Sequence, residues 1–482
     1  MRQHPIRDPF VPVVRCAADL LAVVPHTLGY WPADSLVLFA AGGGTAGACV
    51  RVDLPAGPSD ERLGEAFVAE LADLVAHDTL SDRVFVIVYT SPPPGDPSGA
   101  AAPPAAVDGV LAVVDEAARR AGRAVAARWI VAGDRWWPAE DPADVQDVAD
   151  IEDSAVNAAL VASGSSYAAA PRLAMDQEYG ALPAGTARAA GQAAVRWARA
   201  GADAWHHLDR LGPALSVWTD VLATVRGAPG DAVPAVLDHD DDLLGFLAAS
   251  LADPVLADLL LAACATDDLD GVLAAAAMWA ELCDDVDDRV DGPDAPGVPI
   301  GPTRAPLPPG VPPLPRRPAA GRGGTASGPA AARVPVPDAG ELVRLSRVLS
   351  GEWAETPHWS LLDTLYRVLQ VLGWLLEPTG LGPGPGPEPG AGAAGGAAED
   401  SAGTGDAART DDEARGRAVL AGVLVELAQL NRFRARGSHT AHFVRRATAL
   451  LPGHPPALRV LRLADARPVP LWARDRATAW HS

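Results

Sequence analysis

Ser35-Leu36-Val37-Leu38-Phe39-Ala40-Ala41 runs into Gly42-Gly43-Gly44-Thr45-Ala46-Gly47 and then Ala48-Cys49-Val50-Arg51-Val52-Asp53-Leu54. An apolar run, a glycine-rich break and a second apolar run read as two strands joined by a turn. If the turn centres near Gly44, Ser35 stands opposite Asp53 and Val37 opposite Arg51. Side chains alternate across a strand, so Arg51 and Asp53 share one face. The glycines are not a phosphate-binding loop, because a strand rather than a helix follows them.

Outward from this hairpin the pattern is α/β. Ser59 is a suitable N-cap for a helix reaching His77, with Leu63, Phe67, Leu71, Leu74 and Val75 on one face. Val84 to Tyr89 is apolar without alternation, as in a strand covered on both faces. A helix follows near Val107 to Ala121, then a strand over Val125 to Ala132 that ends in Gly133-Asp134-Arg135. The crossover helix predicts that strands two, three and four run in one direction. Residues 13–142 are therefore expected to form a small mixed sheet with packed helices.

After residue 143 strand patterns vanish and Ala/Leu-rich helical segments take over, so 143–290 is expected to be α-helical. Residues 291–338 form a Pro/Gly linker and 339–377 a helical segment. Residues 378–414 are a Gly/Pro/Ala low-complexity linker, and 415–482 an Arg-rich helical segment. The two Pro/Gly-rich tracts have compositions that cannot pack a core and are expected to be disordered. The fold class predicted is thus an α/β N-terminal domain followed by a mostly α-helical region.

The chain has 482 residues, 39 basic and 61 acidic side chains, and a net charge of −22. No lysine occurs, so every basic residue is Arg. Schiff-base catalysis, a pyridoxal-phosphate anchor, a Walker A loop and a protein-kinase site all need a Lys and are excluded. The charge is uneven. Residues 231–294 are strongly acidic, with Arg289 their only basic residue, whereas 415–482 are rich in Arg. Over its whole surface such a chain is a poor nucleic-acid binder. Arg432, Arg434, Arg436, Arg445 and Arg446 are the candidate partner-binding residues. Either they neutralise the acidic block within the chain, or they meet a protein partner or a polyanion through 415–482.

Cys16, Cys49, Cys264 and Cys283 form no close pair, and no apolar run is long enough for a membrane span or a leader. A cytoplasmic protein with no membrane contact is expected. No metal site is predicted: His439-x-x-His442 lacks a third ligand nearby, and Asp287 to Val298 lacks the ligands of a calcium loop. No cofactor can be named.

Pro25-His26-Thr27-Leu28-Gly29-Tyr30-Trp31-Pro32-Ala33-Asp34-Ser35-Leu36-Val37 is the most specific stretch. It resembles the opening signature of an uncharacterised actinobacterial family, the domain-of-unknown-function family DUF4192. Arg51 to Pro55 and Val131 to Trp136 agree with that family, and so, more loosely, do Leu251 to Pro254 and Leu451 to His454. Pro171-Arg172-Leu173 stands where the family shows a Ser-Arg element. The resemblance implies no known activity and no catalytic residues.

The strand directions bring Asp34, Ser35, Arg51, Asp53, Asp134 and Arg135 to one end of the sheet, with Tyr89 and Thr90. Ligands bind at the carboxyl ends of parallel strands in such sheets. This group suits a polar ligand or a divalent cation. The alternative is structural: Asp34 and Ser35 hold a turn, and Asp134–Arg135 is a surface pair. Two functions stand open, a non-catalytic binding and interaction protein, or an enzyme or ligand-binding protein using the strand-end group.

Overall fold

The computed structural model describes residues 13–43, 45–54, 64–77, 81–90, 105–163, 165–169, 184–201, 205–228, 233–237, 240–287, 302–303, 313–315, 336–377, 403–467, 469–474 and 477–480. Gly44, Ser59, Leu63, Pro171 to Leu173, most of 291–338 and 378–402 lie outside the described residues. The chain divides into two compact units, Met1–Glu178 and Tyr179–Ser482.

The first unit opens with α1 (Ala17–Leu28), which ends where Gly29 takes φ 81 and its N–H bonds Pro25 O. The sheet follows: β1 (Ser35–Gly42), β2 (Thr45–Asp53), β3 (Arg83–Thr90), β4 (Ala124–Ala132), β5 (Arg135–Pro138) and β6 (Gln146–Asp147). Helices α2 (Glu65–His77) and α3 (Ala105–Arg120) flank β3, and α4 (Ala149–Glu152) and α5 (Ala155–Ala162) close the unit. The order across the sheet is β2-β1-β3-β4-β5-β6. The β1–β2 register is the one read from the sequence, Ser35 opposite Asp53 and Val37 opposite Arg51.

The common direction of strands two, three and four also holds, but β1 lies between β2 and β3, antiparallel to both. Only β3 and β4 are parallel neighbours. Strand alternation builds two cores. Leu36, Leu38, Val84, Val86, Val88, Ile130 and Trp137 face α2 and α3. Val37, Phe39, Ile87, Tyr89, Trp129, Val131 and Trp136 face α1 and Ile151 of α4. The unit therefore runs past residue 142, because α4 and α5 pack on α1.

Among its described residues the second unit is mostly helical: α6 (Ala184–Gly201), α7 (Leu208–Arg226), α8 (Val233–Leu237), α9 (Asp241–Ser250), α10 (Pro254–Thr266), α11 (Leu269–Asp287), α12 (Ala339–Ser350), α13 (Trp359–Leu376), α14 (Gly403–Phe433), α15 (Gly437–Leu450) and α16 (Pro455–Ala466). Helix α14 begins inside the tract read from sequence as a linker. From Val419 to Phe433 its described side chains are buried on every face except Gly422, which has none. A helix buried all round belongs at the centre of a bundle, and α14 packs against α6, α9, α13, α15 and α16.

Helices α9 and α10 meet at 99° across the turn Leu251–Asp253. The Asp253 carboxylate caps α10 by accepting from the Val255 and Leu256 N–H groups. Helix α14 passes this corner at Gly422, where an added Cβ would run into the Leu251 carbonyl and the Ala252 backbone. Gly422→Ala is expected to lower stability by about 2 kcal/mol, as overpacking against backbone does. A urea midpoint unchanged from the parent chain would show that α14 does not pass this close.

Candidate functional site

The end of the sheet at Ser35 is assembled by the hairpin register. Ser35 is fully buried and its Oγ donates to Ala33 O at 2.6 Å. The same Oγ accepts from Arg51 Nε at 2.8 Å. Arg51 in turn meets the Asp53 carboxylate at 2.5 Å, with Arg51 13% and Asp53 62% exposed. Asp34 precedes Ser35 with φ 44, a left-handed conformation uncommon outside glycine. Its carbonyl accepts from Leu54 N–H at 2.9 Å, which closes the hairpin's open end.

Asp134 and Arg135 do not join this group. Between β2 and the β4–β5 turn lie β1 and β3, so Asp53 and Asp134 are roughly 14 Å apart at about 4.8 Å per strand spacing. Arg135 pairs with Ala132, whereas Trp136 pairs with Val131 on the α1 face. Arg135 therefore projects to the opposite face from Ser35. Asp134 and Arg135 approach at 4.0 Å with 81% and 46% of their side chains exposed. The six residues form two groups, and the larger is Asp34, Ser35, Arg51 and Asp53.

Tyr89, which the strand directions already brought here, completes this end together with residues that sequence reading missed, Trp31, Tyr167, His26, Asn157 and Ser165. Tyr89, opposite Ser35 on β3, is 1% exposed and its Oη has no hydrogen-bond partner. Burial pushes its hydroxyl well above the usual tyrosine range. Trp31 meets Tyr89 edge-on at 6.1 Å and lies 6.2 Å from Tyr167. Tyr167 stands edge-on to His26 at 4.7 Å. One His26 nitrogen, Nδ1, is 2.9 Å from Ser165 Oγ. The other, Nε2, is 2.9 Å from Asn157 Oδ1. A backbone bridge between Tyr30 and Ala168 holds the 165–169 segment against the signature. Nothing local marks these partners, since they lie more than 130 residues from His26.

The arginines proposed from sequence as a partner surface are mostly turned inward. Arg432 is 2% exposed and donates to Gln429 Oε1 and to the Ser350 and Leu349 carbonyls at the end of α12. A guanidinium there satisfies carbonyls that the helix leaves open. Burial, with Arg467 and Arg459 nearby, lowers Arg432 to about 10, so it stays charged at neutral pH. Arg434 bonds Asp363 at 2.6 Å and stacks on Tyr366 and Trp480. Arg436 lies over Trp480, and Arg446 pairs with Glu377. Of the five, Arg445 is exposed.

A second polar group lies in the helical unit, where Leu251, Ala252, Pro254 and His454 border one pocket with Glu426 and Arg459. Its empty space, open mouth included, is about 240 Å³. Asp258 is 1% exposed and takes both Arg459 terminal nitrogens at 2.6 Å. This pair joins the acidic block to the Arg-rich tail. Glu426 Oε2, Arg459 Nε and His454 Nε2 have no hydrogen-bond partner. Burial, reinforced by the Asp258 charge and opposed by Arg459, raises Glu426 to about 8. Among the described residues, no three His, Cys, Asp or Glu side chains converge as a metal site.

The chain matches the family described as Domain of unknown function (DUF4192) over residues 18–295, more than half its length. It belongs to that family. The match covers the whole sheet and helices α6 to α11, and stops before the helices that carry Glu426 and Arg459. No curated protein and no solved structure is detectably similar to the chain.

Glu426 carries a pH signature of known sign. Its folded value lies above the unfolded value of about 4.3, so the fold holds its proton more tightly than the unfolded chain does. That stabilisation is complete below about pH 4.3 and is lost as pH rises through about 8. Asp258, Arg459 and His454 share its surroundings, so the comparison is with a variant. Glu426→Gln is expected to match the parent in acid and to melt several degrees higher at pH 9. Melting curves that stay parallel across this range would contradict it.

Proposed function

We propose that this family member is a binding protein whose α/β unit takes a small anionic ligand at the Ser35 end of the sheet. One observation carries the reading. The three stretches with the strongest family resemblance lie far apart in sequence, but their described parts, 25–37, 51–54 and 131–136, all reach this end of the sheet. Arg51 supplies the cation, aimed by its bond to Ser35. The exposed Asp53 carboxylate occupies the guanidinium in the free protein and gives way to a carboxylate or phosphate oxygen. The carboxyl ends of the parallel strands β3 and β4 lie alongside, the usual ligand side of such sheets.

The helical unit is proposed as a protein-interaction region rather than a polyanion-binding one. Contacts within the chain made by Arg432, Arg434, Arg436 and Arg446 support this, since they engage four of the five arginines that would otherwise meet phosphates. The proposal places the chain in the cytoplasm, in keeping with four free cysteines.

Thermal unfolding in inorganic phosphate or acetate, against chloride at equal ionic strength, tests the ligand site. A ligand at a hundred times its Kd stabilises by about 2.7 kcal/mol, which reads as several degrees in Tm. The expected result is such a shift with one of the two anions, abolished by Arg51→Gln and enlarged by Asp53→Asn. No shift with either anion, or an equal shift in Arg51→Gln, would overturn the proposal.

A further inference from the structure

Ser165, His26 and Asn157 form a relay with one consistent hydrogen assignment. Asn157 Nδ2 donates to the Glu152 carbonyl at 2.6 Å, which turns Oδ1 towards His26. An amide oxygen only accepts, so His26 Nε2 carries the hydrogen. In the neutral ring Nδ1 is then an acceptor, and Ser165 Oγ–H donates to it across 2.9 Å. This is hydroxyl, base and orienting group in order, within the 2.6–3.2 Å expected of a nucleophile and its base. Catalytic triads are recognised by such geometry and roles and not by chain order, and an Asn serves as third member in cysteine hydrolases.

Each member is held from its own element. His26 is in the last turn of α1. Asn157 is in the first turn of α5, where its own N–H is capped by the Ser154 hydroxyl. Ser165 follows α5, with its N–H bonded to Leu160 O at 3.0 Å. The serine is partly exposed, as is His26, so a substrate in solution reaches the hydroxyl. Tyr167 lies beside the imidazole and Trp31 beside Tyr167, and together they offer an apolar flank to an acyl group.

We propose that Ser165 is an acyl-accepting nucleophile, with His26 as its general base and Asn157 as the positioning residue, and that the site hydrolyses small carboxylic esters. The inference rests on the reading of this end of the α/β unit as a ligand site. The Ser165 hydroxyl proton passes to His26 Nδ1 as Oγ bonds the ester carbonyl carbon. The bond to the leaving alcohol then breaks, and the alcohol oxygen takes the proton from His26. Water repeats the sequence on the acyl-serine, releasing the carboxylic acid and restoring Ser165.

The test uses the full chain and a fluorophosphonate probe, in which Oγ displaces fluoride and leaves a stable phosphonyl-serine. The expected result is a single adduct by intact mass, mapped by peptide mass spectrometry to Ser165. It is absent in Ser165→Ala, and forms at least tenfold more slowly in His26→Gln and in Asn157→Ala. If His26→Gln does not fold, Ser165→Cys serves instead: its new thiol is expected to react with iodoacetamide at least tenfold faster than the exposed Cys16. No adduct at Ser165, labelling of equal rate in a folded His26→Gln, or an ordinary thiol in Ser165→Cys overturns the proposal. Anion stabilisation that survives in Ser165→Ala without labelling in the parent would sink the esterase reading alone. Absence of both would sink the ligand site with it.

Discussion

The Arg51–Ser35 bond is the contact on which the α/β unit depends. Ser35 is fully buried at the first position of β1, between Asp53 and Tyr89 on the neighbouring strands. A buried hydroxyl and a largely buried guanidinium each cost free energy unless partnered. Here each supplies what the other lacks, and Ser35 also ties back to Ala33. A one-residue slip of β1 would break this bond and exchange the two cores, because every side chain would change face. The register that packs Val37, Phe39 and Tyr89 under α1 is thus the register that aims Arg51 at the strand end.

The helical unit solves a related problem at larger scale. Its central helix α14 carries Glu426, Gln429, Asn431 and Arg432 through a buried stretch. Arg432 closes the end of α12, and Asn431 donates to Leu427 O on its own helix. Glu426 is left with an oxygen unpartnered, and its raised value is the consequence. The Asp258–Arg459 pair stands beside it, a buried carboxylate held by a guanidinium that is still 36% exposed. Removing Arg459 would leave the Asp258 charge buried without its partner, which is costly. The pair fixes α16 against α10 rather than supplying the bulk of the folding energy.

The parts legible in the sequence were those with local signals. The glycine turn gave the β1–β2 register, and the helical patterns gave the end of α2 at His77 and α3 within two residues. Strands β5 and β6 escaped because they have four and two residues, too few for a period, after a turn at Gly133. The start of α14 was hidden by the Gly- and Ala-rich composition around residue 403. At the site, Ser35, Arg51 and Asp53 followed from register, whereas Asp134 and Arg135 were drawn in by direction alone, without counting strands or faces. His26, Asn157 and Ser165 could not be paired from sequence, because 131 and 139 positions separate them. The inward arginines were misjudged for a general reason: charge predicts a need for partners, and not whether they come from outside.

A double-mutant cycle on Ser35→Ala and Arg51→Met tests the central contact most directly. Hydrogen exchange of the β1 and β3 amides reads the opening free energy of the first unit without requiring the two units to melt together. A charge-assisted bond this buried predicts a coupling of about 1–2 kcal/mol between the substitutions. Effects that add to within about 0.5 kcal/mol would mean that Ser35 and Arg51 do not hold the strand end together.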